Sequence, residues 1–290
     1  VTPPSVKSAL DEWIKSGKSG SEVNRVISSY IEENFTKVAF MTSAELAEAV
    51  GVSQASITRF AHSLGFAGFG EWSKEMQRMI RAELSGPERL WFADHPTLST
   101  PDASGDRVVL SEHLHLESLN HILASQVFED LAQAIVQAHR VILVAARASA
   151  TLIPYLHYFL SKVRPNVEAA VPGDVLWERL PAEQPDGVLV VALAFPRYPR
   201  VLVERVKELV DSGFQVAAVT DHPNAPVAAH LSTVVAVPVT TASLFDSYAT
   251  PIALFNLLIR RVAQLTPEAS MQRLNQIEEQ DRRHGVYYER

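Results

Sequence analysis

The chain has 290 residues, of which 47% are hydrophobic and 20% charged, a globular balance that excludes disorder throughout and is long enough for two domains. The absence of cysteine excludes disulfides, thiolate metal sites and a cysteine nucleophile, and fits a reducing cytoplasm. A net charge of −7 argues against a chain that coats nucleic acid, though not against one local DNA-binding face.

No apolar run approaches the ~20 residues of a membrane span. The first residues, VTPPSVKSALDEWIK, lack a basic-then-apolar signal pattern. A soluble, cytoplasmic protein with no membrane partner is expected. Residues 21–83 read as short helices, with apolar positions Val23, Ile27 and Ile31, then Leu46, Val50, Ile57 and Phe60, then Met76, Met79 and Ile80 at helical spacings. Residues 85–110 hold Pro87, Pro96, Pro101, Gly86 and Gly105 and read as a linker. Two helical patterns follow, over 111–124 and 127–138. After them come five short, mostly β-branched runs, RVILVAA, NVEAAV, GVLVVALAF, FQVAAVT and STVVAVPV, alternating with amphipathic segments. Such alternation predicts a five-stranded parallel sheet covered by helices on both faces. A last helix is expected over 244–265, with Phe245 in the core, before a charged tail that starts helical and then frays. The predicted organisation is thus an all-α domain over 1–84, a linker over 85–110, an α/β domain over 111–267 and a tail over 268–290.

The segment SAELAEAVGVSQASITRFAHSLGF, residues 43–66, carries the strongest functional signal. Ser43 can cap a helix with Leu46 and Val50 on its apolar face, and Ala47 is small where a second helix must pass close. Gly51 supplies a tight turn, Ser53 can cap the next helix, and Ile57 and Phe60 face inward. The outer face keeps Ser53, Gln54, Ala55, Ser56, Thr58, Arg59 and His62, small or hydrogen-bonding side chains suited to the major groove. Gln pairs with adenine and Arg with guanine there. An ordinary helical hairpin with a polar outer face is the plainer alternative. Residues 21–83 carry a net charge of −2, so phosphate neutralisation must come from a localised face. Binding by a dimer or dimer of dimers to a palindromic operator would compensate.

The run from VNRVISSY through ELAEAVGVSQASITRFAHSLGFAGFGEW resembles the DNA-binding domain of the RpiR (MurR/RpiR) family of bacterial transcriptional regulators. The second half resembles the sugar isomerase (SIS) domain that follows it in that family, the likeness covering roughly residues 20–265. The resemblance implies a regulator whose SIS domain senses a small metabolite, commonly a phosphorylated sugar, and whose dimers bind palindromic DNA.

The usual SIS turns after the first and third strands read G-x-G-x-S and S-x-S-G-x-T, and hold phosphate with backbone amides and hydroxyls. Here Ala145 and Arg147 stand at the glycines of the first turn, and only Ser149 keeps its hydroxyl. In the third-strand turn, Ala194, Pro196 and Pro199 replace hydroxyls, and Arg197 stands at the glycine. One reading makes Arg147, Arg197 and Arg200, with Tyr198 beside them, the groups that grip an anionic effector, since guanidinium binds carboxylate or phosphate in a bidentate way. The other closes the pocket with Pro196 and Tyr198 and leaves the arginines solvated or paired. Asp221 and His222 follow the fourth strand and can touch a ligand or form a capped turn; Ser243 and Ser247, before the last helix, can face the pocket. His113 and His115, two residues apart on a helix, make a poor metal pair, and neither a metal nor a cofactor is expected.

A ligand-responsive transcription factor is the leading reading. A sugar-phosphate isomerase on the same fold is the alternative, but it needs a positioned base, and the altered turns offer only His222. Dinucleotide binding fails because the first turn lacks G-x-G-x-x-G.

Overall fold

The computed structural model describes residues 4–39, 41–83, 105–239 and 245–288. The chain divides into two compact units, one formed by residues up to Val108 and the other chiefly by those from Val109 onward.

The first unit is built of helices α1 (Pro4–Lys18), α2 (Glu22–Val38), α3 (Ser43–Val50), α4 (Gln54–Ser63) and α5 (Phe69–Glu83), with no strand among the described residues. Its core joins Ile27, Ile31, Leu46, Ile57, Phe60, Trp72 and Met76, all at most 2% exposed. Trp72 is the hub, its ring 5.4 Å from Phe60, 5.8 Å from Phe69 and 6.2 Å from Trp13. Helix α1 was not anticipated. It packs so closely that a Cβ on Gly17 would lie 1.9 Å from Ser28 Oγ and 2.8 Å from the Phe60 ring, so only glycine fits there. Val23, expected inward, is 40% exposed, because eight helical residues separate it from Ile31 and rotate it about 80° off the core face. The side chain of Ile80 lies outside the described residues.

The second unit comprises α6 (Gly105–Leu123) from Val109 onward, α7 (Gln126–Gln137), β1 (Arg140–Ala145), a 3-10 turn (Arg147–Leu152), α8 (Ile153–Val163), β2 (Val167–Ala170), α9 (Val175–Arg179), β3 (Val188–Ala194), α10 (Arg200–Asp211), β4 (Gln215–Thr220), β5 (Thr233–Ala236), α11 (Ala249–Leu265) and α12 (Pro267–Arg283). The five strands form one parallel sheet in the order β2-β1-β3-β4-β5. All seven residues of β3 are buried, as a strand covered on both faces requires. One face packs Leu143 and Val191 against Leu131, Leu156 and Phe255; the other packs Ile142 and Val190 against Trp177 and Leu202. Each such side chain contributes about 1.5–3 kcal/mol of hydrophobic stabilisation.

Two boundaries differ from expectation. Helix α6 starts at Gly105, so the last residues of the expected linker are helical, while 85–104 lie outside the described residues. The glycine and proline density of the segment masked the apolar spacing behind it. The helix expected over 244–265 starts at Ala249, and Phe245, expected in the core, is 66% exposed.

Two arginines, one buried and one paired, tie elements of this unit together. Arg164, 8% exposed, has its guanidinium on the carbonyls of Ile135, Ala138, His139 and Pro165, and so satisfies the C-terminus of α7 where the chain enters β1. Arg261 on α11 bonds both carboxylate oxygens of Glu129 on α7 at 2.8 Å. Hydrogen bonds from Arg261 and then from Gln133 lower the Glu129 pKa to about 2. A carboxyl with a depressed folded-state pKa stabilises the fold above its unfolded value, and that contribution is lost as pH falls from about 4.5 toward 2. Glu129→Gln is therefore expected to lower the melting temperature at pH 7, where the contribution is fully present, and to flatten its further loss as pH falls from about 4.5 toward 2. Acid-titration melts of the two proteins check this.

Candidate functional site

The outer surface of α4 is set by the caps of α3 and α4 and by the turn between them. Thr42 caps α3 in a capping box: its hydroxyl accepts the Glu45 N–H at 3.2 Å, and the Glu45 carboxylate accepts the Thr42 N–H at 2.7 Å. Ser43, expected as that cap, is instead the first helical residue. Gly51 ends α3 in the left-handed region at φ 75°, where only glycine is free of strain, and Val52 N–H closes onto Ala47 O at 2.9 Å. Ser53 caps α4 by accepting the Ser56 N–H at 3.2 Å. With Ile57 and Phe60 fixed inward, Ser53, Gln54, Ala55, Arg59 and His62 are exposed, and Ser56 and Thr58 half-buried. Gln54 Nε2 donates to Ser43 Oγ at 2.7 Å, and Arg59 Nη2 to Ser56 Oγ at 3.0 Å. Thr58 Oγ1 turns back to Gln54 O at 3.3 Å, and His62 Nδ1 lies 3.0 Å from Phe66 O. All seven lie on α4 or its cap and none is buried, Ser53 to Arg59 on the cap and first two turns and His62 on the last turn.

In the second unit, β1 and β3 are hydrogen-bonded neighbours with Ala145 paired to Leu193, yet the chain leaves them toward β2 and β4 on opposite sides. That reversal is a topological switch point, and open α/β sheets usually bind their ligands in the crevice at the C-terminal strand ends there. The turns after β1 and β3 border it. Ser149, 3% exposed, accepts the Phe195 N–H at 3.2 Å and ties the two turns together. Arg147 at φ 56° and Arg197 at φ 63° hold left-handed backbone. Both are exposed, and neither has an ion-pair partner among the described residues. Arg200, by contrast, opens α10 and bonds Glu204 at 2.6 Å.

Tyr198 donates its hydroxyl to Asp221, which also accepts from Thr220 Oγ1 at 3.3 Å. His222 Nδ1 accepts the Asn224 N–H at 3.1 Å within its turn. Ser247 Oγ accepts the Ala249 N–H at 3.2 Å at the start of α11, and Ser243 lies outside the described residues. The Tyr248 ring is 5.4 Å from Phe195, which brings the start of α11 beside the third-strand turn. Two residues on, Thr250 is 1% exposed and its hydroxyl has no hydrogen-bond partner among the described residues, a feature the sequence reading missed. His113 pairs with Glu117 at 3.2 Å, and no cluster of metal-binding side chains occurs among the described residues. No helix there is long and apolar enough to cross a membrane.

Residues 10–82 match the family described as helix-turn-helix domain, rpiR family, and residues 134–261 match the SIS domain. The chain is 24% identical over 217 residues to the HTH-type transcriptional regulator HexR of Pseudomonas aeruginosa, covering 74% of this chain and 71% of that protein. It is 25% identical over 189 residues to the HTH-type transcriptional regulator YfhH of Escherichia coli, covering 64% and 66%. Among solved structures, the sugar isomerase domain of an RpiR transcription factor from Sphaerobacter thermophilus is similar at 23% identity and TM-score 0.54, covering 59% of this chain and 97% of that one. The Vibrio vulnificus NanR protein complexed with ManNAc-6P is similar at 16% identity and TM-score 0.54, covering 94% and 97%. With a five-stranded parallel sheet behind an N-terminal helical unit, the chain belongs to the RpiR family of HTH-type transcriptional regulators, an rpiR-type helix-turn-helix domain followed by a SIS domain.

Proposed function

We propose that this regulator binds a palindromic operator as a homodimer or dimer of dimers through α4, and that an anionic metabolite of the sugar-phosphate or sugar-acid type, held at the crevice between β1 and β3, controls that binding. The observation that carries the effector reading is the pair of strained, unpaired arginines. A side chain held in the left-handed region costs on the order of 1 kcal/mol or more, and such strain gathers where function requires it. Arg147 and Arg197 leave their guanidinium groups uncommitted on two turns that Ser149 holds together. The complex of Vibrio vulnificus NanR with ManNAc-6P supports a phosphorylated sugar as the effector class.

Regulation rather than catalysis fits the turns, because His222 spends Nδ1 on its own turn rather than aiming it at the crevice. The dimer follows from physics: one small helix-turn-helix contacts too few base pairs for useful specificity, and a second half-site supplies the rest. A thermal-shift panel tests the effector class. A phosphorylated or carboxylated sugar is expected to raise the melting temperature, as a ligand that binds only the folded state must, and neutral sugars are expected to leave it unchanged. A shift produced equally by neutral and anionic sugars contradicts the assignment.

A further inference from the structure

Gln54 and Arg59 are the two side chains on α4 with bidentate base-reading chemistry, and both are exposed. Long exposed side chains lose rotamer freedom when fixed on a partner. Neither is loose here. Ser56 Oγ, 2.8 Å from Ser53 Oγ, accepts from Arg59 within α4 itself. Gln54 is held from a different helix, by Ser43 at 2.7 Å. Ser43 is free for this contact because Thr42, with Glu45, already caps α3, so the Ser43 hydroxyl is not spent on the helix end.

We propose that Ser43 is a positioning residue for sequence reading, holding the Gln54 carboxamide against the α3–α4 junction in the pose that meets a base. The inference rests on the assignment of α4 as the recognition helix and deepens it. A primary amide nitrogen carries two hydrogens. One serves Ser43, and the second N–H and the Oε1 acceptor stay available as the donor–acceptor pair that matches the N7 and N6 edge of adenine. The contact makes no phosphate bond and buries no apolar surface. Its loss therefore changes which sequence is preferred, not how strongly DNA as such is bound.

The test uses the full chain and duplexes selected by the wild type from a randomised pool. Gln54→Ala first marks the base pair whose discrimination depends on Gln54. Ser43→Ala is then expected to reduce discrimination at that same pair about fivefold or more, within the range one bidentate contact supplies. Discrimination at other positions, the salt dependence of binding and the melting temperature are expected to stay as in the wild type, because Thr42 keeps the cap. Ser43→Thr, which retains the hydroxyl, is expected to keep the preference. If Gln54→Ala erases discrimination at one pair while Ser43→Ala leaves it within twofold of wild type, the positioning role is overturned and the recognition helix stands. If Gln54→Ala alters no position, the assignment of Gln54 on the recognition helix falls, and the role of Ser43 falls with it.

Discussion

Replacing Gln54 and Arg59 together with alanine is expected to lower the preference for operator over unrelated duplex by about 30-fold or more. Each bidentate side chain–base pair discriminates by about 1–3 kcal/mol, and every 1.4 kcal/mol is about tenfold. The two sites are five residues apart on α4, and each is tethered to a different serine, Ser43 and Ser56, so their effects should be close to additive. The fold is not expected to suffer, because both side chains are exposed while Ile57 and Phe60 beneath them are at most 1% exposed. Residual non-specific binding is expected to persist with a salt dependence reduced by up to about one phosphate contact, the share of one arginine. Titration of labelled operator and scrambled duplexes at two salt concentrations measures both effects. An unchanged preference removes α4 as the reading element.

The second large effect concerns Arg197. A guanidinium that pairs with a bound anion accounts for about 2–5 kcal/mol when truncated, so Arg197→Ala is expected to weaken effector binding at least tenfold. Arg197→Gly separates sensing from folding. The residue stands at φ 63°, so glycine relieves left-handed strain while losing more entropy on folding; the net is expected to be neutral to about 1 kcal/mol more stable. Stability and effector binding thus move apart in the glycine variant, whereas a merely structural arginine would show the alanine variant less stable and the ligand response intact. Calorimetric titration with the anion found by thermal shift, run beside denaturant melts, distinguishes the two. Arg200→Ala serves as the comparison, since its guanidinium is already paired with Glu204.

The helix-turn-helix was legible because its signals are local: Gly51 at a left-handed turn, Ser53 as a cap, and Leu46, Ala47, Ile57 and Phe60 at helical offsets. The strands were legible for the opposite reason. Burial on both faces makes β1 and β3 continuous apolar runs that need no alternation to stand out. What sequence hid was tertiary. Helix α1 is defined by the fit of Gly17 between Ser28 and Phe60, partners that lie distant in sequence. The cap of α3 was misplaced by one residue, although the T-x-x-E spacing of Thr42 and Glu45 carried the signal for it. That shift concealed the link from Ser43 to Gln54. At the crevice, the arginine substitutions could be read from sequence. Their left-handed backbone and the Ser149 tie could not, the tie because it depends on β1 and β3 being brought together by the sheet.

Control of DNA binding by an anion at the crevice is tested most directly by operator affinity measured with and without effector. Fluorescence anisotropy of a labelled operator duplex, titrated with wild type and with an Arg147→Ala, Arg197→Ala double variant, gives both numbers in one assay. Saturating effector is expected to change the wild-type Kd at least fivefold, a coupling of about 1 kcal/mol. The double variant is expected to bind the operator as the wild type does without effector and to show no change when effector is added. A double variant that responds to effector as fully as the wild type contradicts the assignment of these arginines.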